Sequence, residues 1–592
     1  MTQLRSLVLL YLLALCSQPA LAQYQLYDNL YNPKTGTSLK VTAMSETLPS
    51  SGYMAVRVNA RNGEKVPLKW NFNFTSKDHS WSESNELSSS FSLSCSAGRQ
   101  KSVEFLVPLV TAIHPDSPLL LALSISGRPP LYGAQVEMQS EQIHSWPAIL
   151  MSEALDIPNS GPLDSAVPSS SSYGGSSDFA GKFLPRDLTD DWRGYVGFDI
   201  MMLTSEDWKD VSPGAKTAIL KWNRLGGRLI FYGSSDSVDL STLGIPAEGK
   251  NKRNTKRSWG KVEILKLPAK SLLPPSRTAS LIKKSPLAPR ATISGNELVS
   301  NWPLQQLFGE RTFNPVFFIL ILIAFGIIVG PINLFVFAKS GQRHRLFITT
   351  PMISLSASAL LLLIILFQDG FGGKGQRLAL IEIQPEENTA YIEQQQIART
   401  GVLLKTSFPS KENAIVSPVT LDHSRWARIT PRNQGGASRY RITPEEKNTL
   451  SLTGDWYKSR SEYGHLVTSI QSTRGRLELL SASGQPTITS TFDYPLKKVY
   501  YLDSSGGIWQ NSSSLKSGRK TQLSLCPKTD FDSWLTKQGK KLNPNSKKRL
   551  DLVSRRKGHF IAIAEEGPFI DTLASLSWQE STAIITGPIV TP

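Results

Sequence analysis

Cysteine is nearly absent from this chain: Cys16, Cys95 and Cys526 are the three in 592 residues, and nothing between Cys95 and Cys526 carries a thiol. A disulfide framework and a cysteine-built zinc site are both excluded. Histidine is almost as thin. The seven, at 79, 114, 144, 344, 423, 465 and 559, show no paired spacing, so neither a metal nor a cofactor is expected. Acid is the minority sign, with 48 Asp and Glu against 65 Lys and Arg, a formal charge of +17. No G-x-S-x-G turn occurs, and between His144 and His344 no histidine is available as a general base.

What the chain does have is two long uncharged runs. Val316 to Ala338 carries no charge, and at about 1.5 Å per residue it makes a helix of roughly 35 Å, enough to cross a bilayer core. The expected first membrane helix is 315–338, and a second is expected at 346–367, joined by the loop 339–345. That loop holds Lys339, Arg343 and Arg345 with no acid, which places it on the cytoplasmic side and both flanking regions on the outer side. Gly326 and Gly330 make a G-x-x-x-G spacing, read here as packing of the two helices against each other, with a dimer interface as the alternative. Asn333 is read as an interhelical hydrogen bond. Two helices without intramembrane charge offer no transport pathway.

The N-terminus fits this topology. Arg5, the apolar run from Leu7 to Leu15 and Ala20-Leu21-Ala22 form the pattern of a signal peptide, 1–22. Leu15 stands where a lipobox places Gly or Ala, so cleavage after Ala22 is expected and Cys16 leaves with the peptide. From 23 to 145, short alternating runs with turn residues between them predict an antiparallel β-sandwich, with Trp70, Phe72 and Phe74 on one core face. From 146 to 248 the period changes. WPAILMS is a buried strand, Gly197 to Leu203 another, Ser212-Pro213 starts a helix with Ala215, Ala218, Ile219, Trp222 and Leu225 on one face, and Arg228 to Tyr232 is the next strand. Strand, helix and strand make a right-handed βαβ crossover and hence an α/β domain.

Between Lys250 and Arg290 lie twelve Lys or Arg and one acid, Glu263. In an exported segment such a run favours anionic lipid over nucleic acid, with Lys250, Lys252, Arg253, Lys256 and Arg257 as the surface contacts. A solvated linker is the alternative, so 249–312 is read as basic linker and end of the outer domain. The cluster Lys540, Lys541, Lys547, Lys548, Arg549, Arg555 and Arg556 is read as a charged loop. Residues 374–592 alternate again and predict a second, C-terminal β-sandwich.

The stretch DDWRGYVGFDIMMLTSEDW, the helix after it and KWNRLGGRLIFYGSSD resemble the glutamine-amidotransferase-like α/β domain of bacterial membrane-anchored envelope proteins. That family follows the domain with a membrane hairpin carrying Gly-Pro-(Ile/Leu)-Asn, matched by Gly330, Pro331, Ile332 and Asn333. The resemblance covers about Trp146 to Gly370. It implies a flavodoxin-like fold and a place in the bacterial cytoplasmic membrane, with no assigned activity. Amidotransferase chemistry needs a cysteine nucleophile and a histidine, and this stretch has neither.

The whole is therefore expected to be a multi-domain α+β membrane protein. Its outer domains would bind partner proteins or an envelope polymer without catalysis; its oligomeric state is not readable. The alternative is a hydrolase or ligand-binding enzyme at the carboxyl ends of the α/β strands, with Thr204, Ser205, Glu206, Asp207, Ser234, Ser235 and Asp236 lining the crevice.

Overall fold

The computed structural model describes residues 24–49, 51–78, 85–111, 119–127, 135–140, 146–167, 178–246, 251–282, 290, 302–309, 316–337, 340–411, 413–419, 421, 438–445, 449–482 and 484–591. The expected signal peptide, Lys250 and Lys339 lie outside them. Two compact units emerge: Met1–Ser80 with Leu87–Arg290, and Trp81–Glu86 with Ala291–Pro592.

The first unit begins with eight strands: β1 (Tyr24–Asn32), β2 (Thr37–Ala43), β3 (Gly52–Arg61), β4 (Leu68–Asp78), β5 (Glu86–Cys95), β6 (Gln100–Leu109), β7 (Leu119–Gly127) and β8 (Gln135–Ser140). β1-β2-β3-β6 form an antiparallel sheet, and β5-β4-β7-β8 lie side by side in a second. The period-two rule is obeyed closely in β4, where Leu68, Trp70, Phe72 and Phe74 are buried while Lys69, Asn71 and Asn73 are exposed. Phe105 of β6 stacks on Phe91 of β5 at 4.6 Å and meets Phe72 of β4 at 5.5 Å, so the two sheets share one aromatic core.

The same unit continues into β9 (Ile149–Ser152), β10 (Gly181–Phe183), β11 (Ile200–Thr204), β12 (Arg228–Gly233), β13 (Asn254–Arg257) and β14 (Gly260–Lys266). Their order is β10-β9-β11-β12-β14-β13, parallel except for β13. Leaving out that antiparallel edge strand, this is the 2-1-3-4-5 order of flavodoxin-like sheets. The crossover from β11 to β12 runs through the helix Pro213–Arg224, capped by Ser212, whose hydroxyl accepts from the Ala215 amide at 3.1 Å. Trp222 anchors it, its indole donating to the Phe198 carbonyl at 3.1 Å, and Gly227 has no room for a Cβ because one would lie 2.5 Å from that indole.

This sheet corrects two expectations. The basic run does not start as a linker, because β13 and β14 complete the α/β sheet beyond residue 248. Nor are its cations a uniform lipid-facing set: Lys252 and Lys256 are exposed, Arg253 reaches Asp236 at 3.6 Å, and Arg257 is 2% exposed. The alternation of a strand edge turned Arg257 inward. Arg290 is likewise drawn in, pairing with the buried Asp199 at 3.2 Å.

In the second unit, two helices are long and apolar enough to cross a membrane, over Ile319–Phe337 and Arg343–Ile364. The first is α-helical over Val316–Ile327 and widens to π geometry over Ile328–Phe337, around Pro331. A proline inside a helix has no amide to donate and crowds the preceding turn, and a wider turn relieves both. Asn333 donates to Thr350 of the second helix at 2.9 Å, as expected. The glycines do not join that contact. A Cβ at Gly326 or Gly330 would meet nothing within 4 Å, so the small-residue face is not packed against the second helix. Arg343 and Arg345 are exposed in the turn between the helices.

Beyond the second helix, Leu346–Asp369, the strands are β15 (Gly373–Gln384), β16 (Thr389–Thr400), β17 (Phe408–Lys411), β18 (Ala414–Val419), β19 (Arg439–Glu445), β20 (Thr449–Gly454), β21 (Glu462–Ser472), β22 (Leu477–Ser481), β23 (Thr487–Ser490), β24 (Lys498–Leu502), β25 (Ile508–Gln510), β26 (Thr521–Gln522), β27 (Ser524–Leu525), β28 (His559–Ala564) and β29 (Leu576–Pro588). Nine of them form one sheet, β18-β21-β16-β15-β29-β28-β24-β25-β27, in which β15 and β29 are parallel. Two helices, Lys528–Gly539 and Pro544–Val553, occupy the stretch read from sequence as strands and a charged loop. Arg549 is no loop cation: it is buried and pairs with Glu393 at 3.1 Å.

The segment ahead of the first apolar helix is held by this sheet. Trp302 is 1% exposed among Leu304, Ile397, Val419 and Leu466, and its indole donates to the Gln395 side chain at 2.9 Å. The short helix Pro303–Phe308 follows, the Arg399 guanidinium lies 4.3 Å from the Phe308 ring, and Arg399 also donates to the Gly309 carbonyl. Gly464 makes room for this strap, since a Cβ there would lie 2.4 Å from Trp302.

Candidate functional site

In an open parallel sheet the strand order reverses at one point, and ligands bind beside the carboxyl ends of the strands there. Here that point is between β9 and β11, which end at Ser152 and Thr204. Of the residues singled out from sequence, Thr204 to Asp207 stand at this place, and Ser234 to Asp236 stand one strand further on, past Tyr232, which is level with Thr204.

The switch point is filled by the chain itself. One oxygen of Asp207 accepts from the Ser152 hydroxyl at 2.7 Å, the Thr204 amide at 2.9 Å and the Thr204 hydroxyl at 2.7 Å. The Thr204 hydroxyl in turn accepts from the Asp207 amide at 3.0 Å, closing a capping box on the helix Ser205–Asp210. Glu206 is exposed and pairs with Lys209 at 2.7 Å. Ser205 is 3% exposed, too deep to meet a soluble substrate.

The second group is engaged as well. Ser235 and Ser237 share a hydrogen bond of 2.6 Å, and Asp236 pairs with Lys266 at 3.0 Å as well as with Arg253. The hydrogen bond from Lys266 holds the Asp236 carboxyl below its ordinary value. Ser234 is exposed. The arrangement therefore presents capped loops and ion pairs, with no activated nucleophile.

Sequence reasoning passed over Asp156, in the turn after β9. Partial burial raises its carboxyl to about 6, with Glu46, Asp164 and Asp178 adding to the effect and Lys182 opposing it. It also passed over Ser152, the third partner of Asp207.

The larger omission lies in the second unit, where β16 buries four consecutive polar residues, Glu393 to Gln396. Glu393 takes Arg549 and the Ser546 hydroxyl. Gln394 mimics a backbone pair, donating to the Ile570 carbonyl at 2.8 Å and accepting from its amide at 2.9 Å. Gln396 donates to Tyr457 at 3.2 Å and Thr572 at 3.0 Å. Beside them His465 of β21 is buried against Tyr457, 4.8 Å between ring centres, and burial lowers its pKa to about 4. The signal available was EQQQ inside a strand long enough to be central. Four polar residues in a row put two on each face, and both faces are covered. Among the described residues no group of His, Cys, Asp and Glu is arranged to hold a metal ion, and Cys95 and Cys526 are free, buried thiols.

No family model matches the chain, and no curated protein matches it. Among solved structures it has a likeness to the sporulation control protein Spo0M from Bacillus subtilis, with 14% identity over 18% of this chain and 51% of that one. The match thus spans about half of that protein, and its TM-score of 0.12 carries no argument about fold or function.

Proposed function

We propose that this chain is a membrane-anchored, non-catalytic protein of the bacterial cell envelope. In this reading the hairpin sits in the cytoplasmic membrane with its basic turn inside, and the outer domains bind partner proteins or an envelope polymer. The α/β sheet would be a glutamine-amidotransferase-like domain that keeps the fold and has lost the chemistry. The observation that carries the reading is the occupied switch point: Asp207 bonds to Ser152 and Thr204 where a ligand would otherwise lie. The absence of any cysteine or histidine from the sequence between His144 and His344 supports it from the side of chemistry.

The test is the combined substitution Glu206→Ala, Ser234→Ala and Ser235→Ala in the full chain. These positions are exposed, and surface changes of this kind shift stability by about 0.5 kcal/mol or less. The cellular phenotype should match that of the parent at equal protein abundance. Loss of function at equal abundance would instead support the hydrolase or ligand-site reading.

A further inference from the structure

The second apolar run ends at Phe367, and its helix stops at Asp369, followed by Gly370 at φ +70°. The chain does not leave the membrane surface freely from there. The Val402 amide donates to the Gly370 carbonyl at 2.9 Å, the Gly372 amide to the Val402 carbonyl at 3.0 Å, and the Gly401 amide to the Gly372 carbonyl at 2.7 Å. The loop 401–405 is thereby tied to the first three residues after the helix. Its tip is apolar and unburied: Leu404 is 90% exposed and Phe371, beside Val402, is 68% exposed. Lys374 and Lys405 are exposed next to them.

Phe371 lies four residues past Phe367 and two past the end of the helix, which brings it to the interfacial layer that flanks the hydrocarbon core. The strap 302–309 reaches the same end of the sheet, because Arg399, which grips Gly309, is one residue from Thr400, the partner of Gly373 at the start of β15. Leu307 of that strap is exposed too. Large apolar side chains rimmed by lysines and tied to a helix exit match the chemistry of a headgroup and acyl boundary, where apolar groups enter and lysines reach back to phosphates.

We infer that Phe371 and Leu404 insert into the outer leaflet, so that this end of the C-terminal sheet lies on the bilayer. The inference rests on the hairpin crossing the membrane, and the experiment separates the two. The full chain is reconstituted into phospholipid vesicles after labelling one position at a time with an environment-sensitive thiol probe: Leu404→Cys, Lys405→Cys, Glu386→Cys and Leu360→Cys. Cys95 and Cys526 are buried, and the unsubstituted chain sets the labelling background. Glu386 sits past the far end of β15, twelve residues along, about 40 Å from Gly373.

Lipids brominated near the headgroup end of their acyl chains should quench Leu404→Cys several-fold more than Glu386→Cys, while aqueous iodide should do the reverse. Lys405→Cys repeats the measurement should the Leu404 variant fail to accumulate. A Leu404 probe open to iodide and untouched by the lipid quencher overturns the inference, as does one shielded from both, which would mean that a protein covers the tip. Leu360→Cys, in the middle of the second helix, is read with lipids brominated near the methyl ends of their acyl chains and reports on the crossing alone. Its quenching beside an unquenched Leu404 defeats only the present inference, and its failure to quench defeats the crossing as well.

Discussion

The α/β crevice and the nine-stranded sheet both hold clustered polar side chains, and they use them in opposite ways. At the crevice, Glu206 and Asp236 are solvated and pair with exposed lysines, Lys209 and Lys266, so each can be lost at small cost. In the sheet, Glu393, Gln394 and Gln396 are buried and bond to residues far along the chain, and His465 is buried against the Tyr457 ring. Polar residues on loops look like a site and serve as caps there. Polar residues in a strand look like an unremarkable surface face and are the interior. Burial decides the energetic weight, because an unpaired group cannot turn to water.

The largest effect that would break this contrast is at the ion pair. Arg549→Ala leaves Glu393 buried without its cation and should cost about 3 to 5 kcal/mol. Peptide-resolved hydrogen exchange of the full chain in detergent should show the loss over β16 and the helix Pro544–Val553. A loss no larger than that at the crevice would remove the distinction.

His465 supplies the next measurement. Its folded pKa of about 4 lies below the ordinary 6.5, so the unfolded state binds the extra proton first. Stability is then full above pH 6.5 and declines as pH falls toward 4, by about 3 kcal/mol in all. Exchange protection in β21 should follow that curve, and His465→Phe should flatten it.

The crevice should answer pH in the opposite sense. Asp156 is raised from 3.8 to about 6, so the folded state holds the proton longer, and stability declines as pH rises from about 4 to 6. Its partial exposure reduces the effect to about 1 kcal/mol. Asp156→Asn should therefore stabilise the region around β9 at pH 7.5 and leave it unchanged at pH 4. An identical shift at both pH values would mean that the carboxyl does not titrate there.

Much of the fold was legible because its signals are local. Ser212-Pro213 before an amphipathic run marked the crossover helix, the uncharged runs marked the hairpin, and Trp70-x-Phe72-x-Phe74 marked a core strand. The site was half legible. Thr204 and Asp207 carry the spacing of a capping box, but Ser152, which shares the same Asp207 oxygen, is 55 residues away in sequence. Arg257, Arg290 and Arg549 could not be told from surface cations, since burial depends on strands and acids that sequence distance hides. Asp199 is 91 residues from Arg290 and Glu393 is 156 from Arg549. The helices at 528–553 were missed because their exposed faces are rich in lysine and their apolar stripe is narrow.

The strap 302–309 also has a mechanical meaning. With Trp302 seated against Gln395 and Gly464, and with Gly370 and Gly372 tied to the loop at 401 and 402, the segment 302–309 ahead of the first apolar helix and the segment after the second are both fastened to the same sheet. If the hairpin crosses the membrane as proposed, tilting the sheet has to shear the Trp302 contact or carry both ends of the hairpin with it.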